Sequence, residues 1–273
     1  MTTFLDRILE TKREEVAELR RRSRLGQAPD LGSLPPCRGF AAALQAGDSL
    51  AVIAEVKQAS PSKGRIAMDF NPVATANVYE RAGAAAVSVL TDERYFQGSI
   101  ADLRRVHDAV RLPVLRKDFI IDEVQIEQAR AAGADAVLLI VAALPADRLL
   151  ELSQYAKGLG LDVLIEVHTD EELPAALAAE PSVLGINNRN LHTFVVDLNT
   201  TLRLAQAVPA ELPMISESGV SCREDAERLA TSGVCGVLVG ESLMRQSSAE
   251  GVRELMAELQ VPRRSLAKDG AQL

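Results

Sequence analysis

Aromatic residues are scarce: Phe, Trp and Tyr together make up 3% of the 273 residues. The net charge is −8, so there is no basic excess either. A chain with neither stacking platforms nor a positive field lacks what a general nucleic-acid surface needs. The local exception is the run Arg20, Arg21, Arg22 and Arg24, which continues a charged helical segment and reads as a solvated helix end. Cysteine is nearly absent. Cys37, Cys222 and Cys235 stand far apart, match no metal or redox spacing, and by their odd number give no disulfide framework. Free thiols suit a cytoplasmic protein. No apolar run approaches the ~20 residues of a membrane span. Residues 1–24 are charged and carry no signal-peptide core. Histidines number three, and His107, His168 and His192 are isolated. They read as structural or exposed, and no metal is expected. No G-x-G-x-x-G follows the first apolar run, as dinucleotide binding would require.

What the chain has is hydrophobic residues, 47% of the total, and a repeated phrase. Short apolar runs occupy 51–56, 86–90, 113–115, 136–141, 162–167, 183–186, 213–215 and 236–239. Each is too short for a helix and apolar on both faces, the mark of a strand in a parallel sheet covered on both sides. Amphipathic, Ala-rich segments lie between them, at 72–82, 122–132, 145–157 and 221–231 among others. Several close on glycine, as in Ala82-Gly83, Ala132-Gly133 and Ser232-Gly233, where a left-handed cap is needed. Ser221 with Glu224 has the spacing of a capping box. Asp92 reads as a loop or rim residue.

Eight such β–α units predict an α/β fold, a (βα)8 TIM barrel, rather than an open doubly wound sheet. An extra N-terminal helical segment precedes it. In 4–19, Leu5, Ile8, Leu9, Val16 and Leu19 fall on a helical period. The expected division is a helical extension over 1–48, the barrel over 49–260 and a polar, frayed tail over 261–273, all within one domain.

In this fold, chemistry sits at the C-terminal strand ends. Those ends carry Glu55 and Lys57, Lys117, Glu166, Asn187 with Arg189, and Glu217 with Ser218 and Gly219. The fourth strand, by contrast, runs out as Leu138-Leu139-Ile140. Strand alternation puts Glu55 and Lys57 on one face. Three carboxylates and two lysines around one mouth shift one another's pKa values, as general acid–base work requires. The seventh and eighth ends, "SESGV" and "VGES", are small, contain Gly219 and Gly240, and precede helices. Backbone N–H groups can approach an anion there, which suggests a phosphate.

The segments "IAEVKQASPSKG", "SVLTDERYFQGS", "LRKDFIID", "LIEVHTDEEL", "GINNRNL", "ISESGV" and "VLVGESLM" resemble indole-3-glycerol-phosphate synthase over roughly residues 4–260. The resemblance implies a monofunctional carboxy-lyase. It would convert 1-(2-carboxyphenylamino)-1-deoxyribulose 5-phosphate to indole-3-glycerol phosphate, CO2 and water without a cofactor. It implies Lys117 as general acid, Glu166 as base for the dehydration assisted by Glu55, Lys57 and Arg189 at the substrate carboxylate, and Lys57 assisting in the dehydration as well. Asn187 and Glu217 would orient hydroxyl and amino groups. Phe96 and Phe119 would pack on the aromatic ring. Ser60 and the backbone at Ser218, Gly219, Gly240 and Glu241 would take the phosphate. Two positions depart from the family's habit. Glu241 replaces a small residue, so its side chain is expected to turn away. Gln58-Ala59 replaces a more basic pair. The partner expected is this small phosphorylated molecule, with no nucleic acid or membrane, and a monomeric or weakly homo-oligomeric chain.

Two rival readings remain open on the residues alone. Lys117 could be the nucleophile of a Schiff-base aldolase acting on a sugar phosphate, which borohydride trapping would reveal. A non-catalytic barrel could keep only the phosphate site.

Overall fold

The computed structural model describes residues 3–60, 64–65, 70–191 and 193–263. Eight strands close into a parallel barrel: β1 (Ala51–Val56), β2 (Ala86–Leu90), β3 (Val114–Lys117), β4 (Ala136–Ile140), β5 (Asp162–Val167), β6 (Val183–Asn187), β7 (Met214–Glu217) and β8 (Gly236–Val239). Each pairs with its neighbours in sequence, and β1 closes the ring on β8. The apolar runs are strands for the reason their composition gives. One face packs on surrounding helices, with Val52, Val87, Val137 and Val163 in that outer layer. The other fills the barrel with Ile53, Leu115, Leu138, Leu164 and Ile215.

The helices start where polar caps allow. Asn71 caps α3 (Pro72–Arg81), with Pro72 in the first turn, where its missing N–H costs nothing. Asp122 caps α4 (Glu123–Ala131). Gly83 and Gly133, both at φ 91°, turn the chain from helix into strand. One expected cap differs. The eight-residue helix α5 (Arg223–Ala230) is preceded by Cys222, not Ser221. The Ser221 hydroxyl and N–H both donate to Asp225, so the carboxylate four residues on replaces the capping box.

The two barrel ends are treated differently. The bottom is plugged by α2 (Phe40–Gln45), whose Phe40 and Leu44 are 0% and 1% exposed. Burying a side chain of this size contributes about 2–3 kcal/mol. Carboxylates at strand starts hold the plug in place. Asp135 accepts from the Arg38 N–H at 2.7 Å and Asp162 from the Ala41 N–H at 2.9 Å. The top is crossed by α1 (Phe4–Arg22), capped by a reciprocal Thr3–Asp6 box. Its apolar period places Ile8, Leu9 and Val16 inside, and the same stripe buries Lys12. Pro262 and Arg263, expected in a frayed tail, are tied down: Pro262 bridges Ser49, and the Arg263 N–H donates to the Asp48 carbonyl at 2.7 Å.

Candidate active site

Barrel interiors stack in layers of four side chains from alternate strands. Here Ile53, Leu115, Leu164 and Ile215, from β1, β3, β5 and β7, belong to the inner core. Two residues further along the same strands come Glu55, Lys117, Glu166 and Glu217. The period-2 repeat lifts one apolar layer into one charged layer. These four line a cavity of about 560 Å³ at the C-terminal mouth.

The cavity gathers almost every residue expected of the site. Lys57, Phe96, Phe119, Asn187, Arg189, Ser218, Gly219, Gly240 and Glu241 also line it, and α1 contributes Phe4, Leu5 and Ile8. Of Ser60 the described part is the backbone, paired with Gly64 just beyond β1. His192 lies outside the described residues. β3 continues past the expected Leu115, so Lys117 stands within the sheet and not on a solvated loop. The Phe96 and Phe119 rings lie 6.2 Å apart and tilted at 36° on the wall. After β7 the chain takes two left-handed residues in succession, Ser218 at φ 67° and Gly219 at φ 94°. The Glu241 carboxylate pairs with Arg245 at 2.5 Å along its own short helix.

Lys117 is the hub. Its Nζ lies 2.8 Å from Glu166 Oε2 and 3.2 Å from Glu217 Oε2. Burial alone would discharge it, but Glu166, Glu217 and Glu55 outweigh burial and hold the ammonium above the ordinary lysine range. Glu166 also resists its own burial: Lys117 and His168 keep its pKa well below 4.5. Burial wins at Glu217. Helped by repulsion from Glu166 and opposed by Lys117, it pushes that pKa up to about 8. Two carboxylates on one lysine are thus driven apart, one ionised and one holding a proton near neutrality, the separation that acid–base chemistry uses. Glu217 fits because β6 carries Gly185 beside it: a Cβ there would stand 2.2 Å from Glu217 Oε1. A second pair sits on β1, Lys57 Nζ 2.5 Å from Glu55 Oε1.

Beside this layer lies a network absent from the sequence-based expectations. Lys12 reaches Asp92 at 2.7 Å and Asp118 at 2.9 Å. Asp118 also takes hydrogen bonds from Thr91 and Arg116. Burial would raise the Asp118 pKa, but Arg116 and Lys12 hold it down to about 2. Asp92 is therefore no rim residue. It is fully buried, it caps the helix carrying Phe96, and it anchors α1. The sequence signal was a lysine on an otherwise apolar helical stripe. His168 is not isolated either. Its ring lies 3.3 Å from Glu166 and 3.5 Å from Glu172. The parity that paired Glu55 with Lys57 pairs Glu166 with His168. Asn188, by the same parity, points away from Asn187 and ties β6 to β7 through Ser216 and the Glu217 and Ser218 carbonyls.

A closed barrel with buried, interacting carboxylates and lysines at its C-terminal mouth defines an acid–base enzyme of the (βα)8 class. The family model "Indole-3-glycerol phosphate synthase" matches residues 5–255. The chain is 51% identical over 271 residues to the indole-3-glycerol phosphate synthase of Desulfotalea psychrophila, covering 96% of this chain and 100% of that protein. It is 52% identical over 250 residues to that of Oceanobacillus iheyensis, covering 91% and 94%. Among solved structures, it superposes on thiamine phosphate pyrophosphorylase from Pyrococcus furiosus with TM-score 0.58 at 18% identity, covering 77% of this chain and 93% of that one. N-(5'-phosphoribosyl)anthranilate isomerase from the same organism gives 0.56 at 13%, covering 77% and 98%. These two show the shared barrel alone.

The chain belongs to the indole-3-glycerol phosphate synthase family, the carboxy-lyases (EC 4.1.1.48) of tryptophan biosynthesis. No described helix is long and apolar enough to cross a membrane.

Proposed function

We propose that Lys117 is the general acid and Glu166 the general base of the ring closure and dehydration. One observation carries this: the Lys117 ammonium sits at the centre of the charged layer, within 2.8 Å of Glu166 and 3.2 Å of Glu217. Held charged among carboxylates at the barrel mouth, it is a proton donor placed where substrate must bind. The substrate ketone must be polarised before the arylamine ring attacks it. The Lys117 proton moves to that oxygen, and the ring carbon bearing the carboxylate forms the new C–C bond. Loss of CO2 returns the electron pair to the ring. Dehydration then needs an acid for the departing hydroxyl and a base for the adjacent proton. Glu166, no longer neutralised once Lys117 has turned to substrate, takes the latter, with Glu55 assisting, and Lys57 gives the proton with which the hydroxyl departs as water.

Lys57, held by Glu55, and Arg189 bind the substrate carboxylate. Asn187 and Glu217 orient its hydroxyl and amino groups. Glu217 Oε2 lies 3.2 Å from the Lys117 ammonium, and among the described residues its Oε1 has no hydrogen-bond partner, which leaves that oxygen to engage a ligand. Phe96 and Phe119 stack on the aromatic ring. The phosphate lies on backbone N–H groups at Ser218, Gly219, Gly240 and Glu241, with Ser60 as a further ligand. The consecutive left-handed turn at Ser218-Gly219 supports this, as such turns make anion-binding concavities. The Glu241–Arg245 pair draws the one misplaced negative charge aside. We further infer a cytoplasmic, monomeric or weakly homo-oligomeric chain that acts on this small molecule and uses neither nucleic acid nor membrane. Its three parts are an extension over 1–48, a barrel over 49–260 and a tail over 261–273.

The test follows indole fluorescence on mixing the enzyme with substrate. Lys117→Ala and Glu166→Gln should each lower kcat by about 10²–10⁴-fold, with KM changed little. A Lys117→Ala enzyme of near wild-type turnover would remove lysine from the acid role.

A further inference from the structure

The mechanism above leaves unused the buried titratable group nearest its base. His168 follows Glu166 by two residues at the end of β5, so both side chains leave the strand on the same side. The ring is 7% exposed, with Nε2 3.3 Å from Glu166 Oε1 and Nδ1 3.5 Å from Glu172 Oε2, contacts at ion-pair distance in which neither ring nitrogen is aligned for a hydrogen bond. Glu172 is itself fixed, because its Oε2 accepts the His168 backbone N–H at 2.6 Å. Glu166 therefore has a different cation on each oxygen: Lys117 on Oε2 and His168 on Oε1. His168 and Glu172 also line a second cavity of about 600 Å³ that shares Asn187 and Arg189 with the first. The imidazole lines this second chamber, and Glu166 beside it lines the first.

We propose that His168 is the positioning residue of the base: placed between Glu172 and Glu166, its imidazolium attracts Glu166 Oε1 and keeps Oε2 directed at Lys117 and the substrate. This rests on the assignment of Glu166 as base. The geometry distinguishes the two cations by function. Lys117 must let go of Glu166 to protonate substrate, and a carboxylate held only by Lys117 would then be free to rotate. His168 has no such task and holds throughout the cycle. Being cationic, it also keeps Glu166 ionised in a buried site at the moment Lys117 turns away. Burial works against the imidazolium, but Glu166 and Glu172 outweigh it and raise its pKa to about 9. Among the described residues, the other charged groups that line the second cavity are Asp6 of α1, and Arg189 and Asp197 of the loop after β6.

The experiment measures kcat and KM of the full-length enzyme by indole fluorescence over roughly pH 5 to 10. The variants are His168→Ala, His168→Gln and Glu166→Gln. His168→Ala should lose about tenfold or more in kcat with KM changed less than about twofold. The acid limb of its kcat profile should move to higher pH, because Glu166 has lost a neighbouring cation. His168→Gln keeps an N–H donor without the charge. It should recover part of kcat while its acid limb stays displaced, and it decides the matter should the alanine variant fail to fold. An unmoved acid limb in His168→Gln overturns the proposal, as does a kcat for His168→Ala equal to wild type. The Glu166→Gln enzyme separates the two failures. If it is inactive while the His168 variants behave as wild type, the base assignment stands and only the role of His168 falls. If it is fully active, the base assignment itself is wrong.

Discussion

Replacing Gly185 with alanine should damage turnover far more than stability. The new Cβ would stand 2.2 Å from Glu217 Oε1, 3.1 Å from Leu164 Cδ1 and 3.3 Å from Glu217 Cδ. Non-bonded heavy atoms settle at about 3.5 Å, so the carboxylate must retreat by about 1 Å. What is struck is the tip of a side chain, not backbone, so the barrel survives at the modest cost of overpacking, about 1–2 kcal/mol. Part of that is offset because alanine is the better strand residue by about 0.5–1 kcal/mol. Glu217 has no spare room, being 1% exposed and 3.2 Å from the Lys117 ammonium. Its displacement breaks that contact and turns Lys117. A misplacement of ~1 Å costs about 10²-fold in rate. The assay pairs steady-state indole fluorescence with a thermal melt. Wild-type kcat in a folded Gly185→Ala enzyme would refute the claim that the niche sets the geometry of the acid.

Three further outcomes are expected. Lys12→Met removes the cation from Asp92 and leaves Asp118 with Arg116 as its remaining cation among the described residues, and breaking a buried ion pair costs about 3–5 kcal/mol. Calorimetry should show Tm lower by roughly 10 °C, and a drop under ~2 °C would make the Lys12 network incidental. Arg189→Ala removes a cation from the mouth and should raise KM about tenfold or more with kcat kept within about threefold; a kcat effect alone would place Arg189 in the chemistry instead. Folding raises the His168 pKa from 6.5 to about 9. Its stabilisation is complete below about pH 6.5 and lost as pH climbs through 9, so Tm should decline across that window and decline less steeply in His168→Gln.

Period-2 and period-3.6 patterns made the barrel and its eight strands legible, because in a parallel sheet both strand faces are apolar and the flanking caps are local. The charged mouth was legible because strand parity converts sequence spacing into facing. That same parity would have joined His168 to Glu166, had an isolated histidine not suggested a surface or structural role. What sequence hides is contact between distant segments. Nothing near Asp92 says that a lysine some eighty positions earlier will bury against it. Nothing in "LGIN" says that its glycine exists to admit a carboxylate from β7. Ser221 failed as a cap for a similar reason: two acids, Glu224 and Asp225, competed for it, and only the entry angle of the helix decides.

The plug of Phe40 and Leu44 has a consequence for traffic. With the barrel floor sealed by side chains 0% and 1% exposed, substrate arrives and products depart on the same side of the molecule, beneath α1. Carbon dioxide released beside Lys117 must therefore pass the bound phosphorylated intermediate on its way out. The order of departure follows from the order of bond breaking: decarboxylation frees the gas first, and dehydration then frees the water and the indole product.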